Sequence, residues 1–260
     1  MKRGTRPLRG LIATAAIVPF VSAAAFAADL KVMASGGFTA AYNELAPQFE
    51  LATGNRITTE FGASMGNAPS SIPNRLRRGE PADVVILAST ALEELIKSGM
   101  VIPESRVDLV RSRIGVAVRA GAAKPDISSV EALKGALLRA GSIAYSDSAS
   151  GVYVSTELFE KLGIADQVRG KSKRIEGMVG QAIAHGDAEI GVQQISELLP
   201  VEGIQYVSPL PAEVQKVTVF SAGIAVASKE PEAARALIRF LTSPSAASAI
   251  TKSGLEPVGR

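Results

Sequence analysis

Four turns in this chain carry the residue types that could hold a small anion. They are Ser35-Gly36-Gly37, Ser64-Met65-Gly66, Ser146-Asp147-Ser148-Ala149-Ser150-Gly151 and Gln193-Gln194. Hydroxyl and amide side chains donate hydrogen bonds without a counter-charge, and glycine lets a guest approach the backbone closely. The first three turns each stand where a helix is expected to begin. Free N–H groups and the positive end of the helix dipole favour negative charge there. A serine in that place is also an ordinary helix cap. The inference therefore rests on the set of turns and not on any one of them.

Competing chemistries find less support. No Gly-Lys-Ser/Thr follows any Gly-rich turn, and Ser35-Gly36-Gly37 does not complete the dinucleotide fingerprint. One histidine and no cysteine exclude a nitrogen- or sulfur-ligated zinc site, so no cofactor is expected. Without cysteine there is neither a disulfide nor thiol chemistry. His185 stands at an expected helix end, and so do Arg75, Arg77 and Arg78. Positive charge complements the dipole there, and a surface role accounts for them.

The turns must be positioned by the elements around them. Apolar strand signals at 30–34, 56–61, 83–87, 114–118, 142–145, 190–193 and 217–227 alternate with helical periodicity. That rhythm indicates an α/β fold with mostly parallel sheet, in which ligands lie beyond the carboxyl ends of the strands. The segments at 114–118 and 217–227 could carry the chain into a second lobe and back. The expected organisation is 28–112 with 223–260 as one lobe and 113–222 as the other.

Residues 1–27 are expected to be a secretory signal. Lys2, Arg3, Arg6 and Arg9 precede an apolar run ending in Ala25-Phe26-Ala27. Export to the periplasm follows from that layout. The full chain has 28 Lys+Arg against 25 Asp+Glu, but its first 27 residues hold four of the cations. The remainder is close to neutral, so neither nucleic acid nor an acidic membrane is an expected partner. A protein not embedded in the membrane, acting as a monomer, is expected.

Taken together, the turns, the Gly79-Glu80-Pro81-Ala82-Asp83 strand start and the Phe240-Leu241-Thr242-Ser243-Pro244 segment with Ala246-Ala247 resemble the periplasmic molybdate-binding protein family of ABC importers. The resemblance covers essentially all of the chain after the signal. It implies a two-lobed periplasmic binding protein fold (type II) with two crossover strands. It also implies an anion held between the lobes by hydroxyls and backbone amides, and an ABC permease as partner. The family's first-turn serine corresponds to Gly37, with Ser35 two residues earlier. Its second-turn serine corresponds to Ser64, its third-turn position to Ser150, and its fourth falls near Glu176. Gln194 stands where the family has a tyrosine.

These departures leave two readings open. One is a binding protein for a small oxyanion or organic polycarboxylate. The other is an enzyme of the family's aconitate isomerase-like branch, since Gln193, Gln194 and the serines at 146, 148 and 150 suit a planar carboxylate. Interconverting cis- and trans-aconitate is an allylic proton shift. It needs a base over a carbon acid and neutral donors for the dienolate. Glu176 is the first candidate base under that reading, followed by Tyr153 and Asp147.

Overall fold

A computed structural model describes Met1 and residues 27–258; the expected signal falls outside the described residues apart from its ends. β1 (Asp29–Ser35) runs directly into α1 (Gly36–Thr53), and β2 (Arg56–Gly62) leads through a turn to α2 (Ile72–Arg77). β3 (Val84–Ala88) continues into α3 (Ser89–Lys97), followed by the long β4 (Val107–Arg119) and α4 (Val130–Arg139). β5 (Ile143–Ser146) leads to α5 (Ala149–Tyr153), which passes through a π-helical turn into α6 (Phe159–Lys161). α7 (Ala165–Arg169), β6 (Ser172–Ile175), α8 (Val179–His185), β7 (Ile190–Gln194) and α9 (Ile195–Leu198) follow. The chain ends with β8 (Ile204–Pro209), β9 (Val217–Ile224), α10 (Pro231–Leu241), α11 (Ala247–Lys252) and β10 (Glu256–Pro257).

The fold is a two-lobed α/β binding-protein architecture. In the first lobe β1 pairs in parallel with both β2 and β3, and β9 joins β3 antiparallel. In the second, β5 pairs in parallel with β6 and β7. β4 belongs to both sheets. Val107–Arg113 pairs with β9, and Ile114–Val118 pairs with β7. Only the apolar half of this strand is visible in the sequence pattern, because Arg111 and Arg113 interrupt the preceding run.

Burial follows from the pattern. β3 reads Val-Val-Ile-Leu-Ala and is buried throughout, as a strand covered on both faces must be. α1 turns Phe38, Ala41, Tyr42, Leu45 and Phe49 inward at helical spacing. They meet Leu237, Ile238 and Leu241 of α10 in the first lobe's core. A separate core holds Ile114, Val116, Leu137, Phe159 and Val192 in the second lobe. The carboxyl ends of β1, β5 and β7, with the turns that follow them, face the space between the two cores.

Candidate site in the inter-lobe cleft

The first two serine turns meet. Ser64 Oγ donates to Ser35 Oγ at 2.7 Å and accepts from the Ala88 N–H at 2.9 Å. Ser35 and Ser148 both occupy the residue before a helix, yet neither hydroxyl caps its own helix. The ordinary capping role is thus not what these two side chains do. Ser35 Oγ joins Ser64, while Ser148 Oγ reaches across the cleft to accept from the Ser64 N–H at 3.1 Å. Further inter-lobe contacts are Ser196 Oγ donating to the Gly37 carbonyl at 2.7 Å and Ser70 Oγ donating to Glu176 Oε1 at 3.0 Å. The lobes are closed upon each other.

Ser64 is fully buried, so its hydroxyl has a structural consequence. Ser64→Ala removes the acceptor of the Ala88 N–H and is expected to cost about 1–3 kcal/mol of stability. Chemical denaturation reads this directly. An unchanged midpoint would mean that Ala88 finds another acceptor.

Beside the serines lies a cavity of about 530 Å³. Gly36, Thr39, Ala40 and Asn43 of α1 form one wall, and Asp147, Ser148, Ser196 and Glu197 form the facing one. Phe61 and Met178, both partly exposed, stand at its mouth on opposite lobes. No lysine or arginine lines it. Three carboxyl groups do: Asp147, Glu176 and Glu197. Burial raises the Asp147 carboxyl above its ordinary range, and the charge of Glu176 adds to this. Burial pushes Glu197 up to about 8, against the favourable hydrogen bond from Gln193. Among the described residues no group of three or more side chains converges in the manner of a metal site.

The remaining candidates are placed as follows. Gly36 touches the cavity, and a Cβ there would come within 2.2 Å of Glu197 Oε1. At Gly37 a Cβ would meet the Phe220 ring at 2.1 Å, so the backbone has room for no side chain where the molybdate-binding pattern has serine. Met65 packs against the first lobe's cores, and Gly66 is an exposed turn glycine with φ 98°. Ser150 is buried and shares a hydrogen bond with Ser146 at 3.1 Å, and Gly151 lies against the Ser146 carbonyl. Gln193 is buried and bonds the Val179 N–H and Glu197.

Two candidates are engaged elsewhere. Tyr153 is buried in the second core and donates to the Val214 carbonyl at 2.6 Å, which removes it from consideration as a base over a cleft ligand. Gln194 accepts from Ser112 on β4 at 2.8 Å and donates to Thr218 on β9 at 3.0 Å. It pins the crossing segments together and does not line the cavity. Conversely, sequence reasoning missed Thr39, Asn43, Phe61, Ser70, Met178, Ser196 and Glu197. No spacing rule singles out Glu197, since Gln193 lies in β7 and only the turn into α9 brings the two side chains together.

Residues 30–256 match the family described as bacterial extracellular solute-binding protein. The chain belongs to that family. Within it, this solute-binding protein is 48% identical over 230 residues to an aconitate isomerase from Pseudomonas sp., with 88% of each chain covered. It is 28% identical over 246 residues to the molybdate-binding protein ModA of Azotobacter vinelandii, covering 90% of this chain and 92% of the relative. The solved periplasmic molybdate-binding protein of Azotobacter vinelandii superposes with a TM-score of 0.67 at 22% identity. That match covers 87% of this chain and 98% of the other. Among the described residues no helix is long and apolar enough to cross a membrane.

Proposed function

We propose that this protein is a periplasmic aconitate isomerase built on the solute-binding fold, interconverting cis- and trans-aconitate by an allylic proton shift. The observation that carries the reading is the composition of the cleft. A half-buried carboxyl with a raised pKa, Asp147, stands beside neutral hydroxyl donors and the uncapped first turn of α1. A site evolved only to trap an anion gains nothing from three carboxyls on its wall. A site that moves protons requires at least one. The 48% identical relative named aconitate isomerase supports the same substrate.

The chemistry follows from these groups. One substrate carboxylate lies against the first-turn N–H groups of α1 and the Ser148 hydroxyl, which hold it without a permanent counter-ion. Asp147, ionised, takes a proton from the methylene carbon. The electron pair spreads through the allylic system into the flanking carboxylate, where the neutral donors stabilise the added charge. A proton returns at the other end of the allyl unit and the double bond moves by one position. One proton leaves and one arrives, so the step is redox-neutral.

The lobes are taken as 28–112 with 217–260 and as 113–216, which moves the second limit from the 222/223 expected from the sequence. The second limit is supported by the pairing of β9 with β4 and β3 from Val217 onward. Residues 1–27 act as the export signal in this reading, as their basic and apolar segments suggest.

The test is to incubate purified protein with trans-aconitate and follow the cis isomer by NMR. Appearance of cis-aconitate at a catalytic rate is expected. The ModA relative favours a second reading, an oxyanion-binding protein that delivers its ligand to an ABC permease. Absence of turnover, together with a thermal shift on adding molybdate, would establish that reading instead.

A further inference from the structure

We propose that Glu197 is the second catalytic carboxyl of this cleft, the one that returns the proton to the substrate, and that Gln193 is its positioning residue. This role rests on the isomerase reading and deepens it. Glu197 sits in the short helix α9 on the cavity wall, with Asp147 on the same wall. Its Oε1 accepts from Gln193 Nε2 at 3.0 Å. Gln193 is fully buried and held in place, because its Oε1 accepts from the Val179 N–H at 2.9 Å while its Nε2 also reaches the Gly177 carbonyl at 3.3 Å. The amide therefore presents a fixed donor to the carboxyl. From the other lobe the α1 backbone closes onto Glu197 at Gly36, where any side chain would collide with Oε1.

The surroundings offer Glu197 no cation. β7 carries no titratable side chain, nor does the first turn of α1, and the one such group of α8, His185, is at its far end. On β4, Asp108 is bonded by Ser221 and Arg106, Arg113 pairs with Glu256, and Arg111 and Arg119 are exposed. The charged group that acts on Glu197 is Asp147, whose negative charge favours the protonated form. With its pKa near 8, Glu197 holds its proton at neutral pH, and the negative charge of Asp147 beside it favours that form. That is the starting state a two-carboxyl shift needs.

The step balances as follows. The Asp147 carboxylate takes the proton of the methylene C–H bond and becomes the acid. The allylic carbanion then takes the proton of the Glu197 carboxyl at its other terminal carbon, leaving Glu197 ionised. Asp147 releases its proton to water and Glu197 regains one from water. Every turnover thus places a solvent-derived hydrogen on the product. A single base shuttling one proton across the face of the allyl system would return part of the original hydrogen.

The experiment uses the full mature protein with trans-aconitate in D2O and H2O. One deuterium per product molecule is expected for the wild-type protein, with a kcat/KM that falls above about pH 8. Glu197→Gln is expected to lower kcat about a hundredfold or more, with substrate affinity retained in calorimetry. Gln193→Leu should keep substantial activity but move the alkaline limb to higher pH, since the lost hydrogen bond favoured the ionised form. That shift is a signature a merely structural role would not produce, and it is available even if Glu197→Gln fails to fold. A wild-type protein inert toward trans-aconitate overturns the isomerase reading and this role with it. An active wild type whose alkaline limb is unmoved by Gln193→Leu, or whose Glu197→Gln variant retains full turnover, overturns the role of Glu197 alone.

Discussion

Replacing Asp147 with asparagine is expected to lower aconitate turnover about a hundredfold or more while leaving the fold intact. Asparagine matches the shape of aspartate and keeps one acceptor oxygen for the neighbouring Gly177 N–H, which now favours the charged carboxylate. It cannot take a proton from carbon. Binding of the polycarboxylate should hold or tighten, because one negative charge leaves a cleft that already contains two other carboxyls. Turnover and calorimetric affinity measured on the same preparation separate these effects. A variant with wild-type kcat would eliminate Asp147 as the base. The sign of the pH dependence follows from the same residue. Its pKa is raised, so activity should begin to fall at a higher pH on acidification than an exposed aspartate would give. A carboxyl whose pKa is raised on folding also disfavours the native state once pH exceeds its unfolded value. Asp147→Asn should therefore melt higher than wild type at neutral pH, with the advantage shrinking under acid conditions.

The second large effect is on stability. A Cβ on Gly151 would lie 1.5 Å from the Ser146 carbonyl oxygen and 3.0 Å from its nitrogen. Both are backbone atoms of the last residue of β5, a strand held between β6 and β7. Neither can move aside as a flexible side chain would. Gly151→Ala must lift the start of α5 away from the sheet and separate Ser150 from Ser146. The expected cost is about 3 kcal/mol or more, at the upper end for overpacking. Urea denaturation provides the measurement, and an unchanged midpoint would mean that the helix start is free to shift. Because Ser148 lies in the same turn, the variant should also lose affinity for a cleft ligand.

Much of this architecture was legible from residue order. The strand–turn–helix rhythm places β1, β3, β5 and β7 correctly, and the turns at Ser35, Ser64 and Ser148 do meet in one place. Their glycines also report close approach, at Gly36 to a carboxyl and at Gly37 to a ring. What escaped was set by packing over long sequence distances. Gln194 looks like a ligand donor until Ser112 and Thr218, from two other strands, are seen to satisfy both ends of its amide. Tyr153 flanks a serine-rich turn, but one helical turn is enough to rotate it into the core, where Val214 takes its hydroxyl. Glu197 shows the opposite failure. Nothing in Ile-Ser-Glu-Leu suggests chemistry, and only the arrival of α1 from the other lobe encloses that carboxyl.

The single strand β4, shared by both sheets and tied to β9 through Gln194, limits how a ligand can enter the cleft. Two bodies threaded on one continuous rod cannot drift apart. The crossing lies beside Ser112, where β4 leaves β9 and takes up β7 as its partner. Admission and release then amount to a rotation that parts Ser64 from Ser148 and Ser70 from Glu176 while the axle region keeps its alignment. Closure then brings Ser64 back against Ser148 and Ser70 back against Glu176.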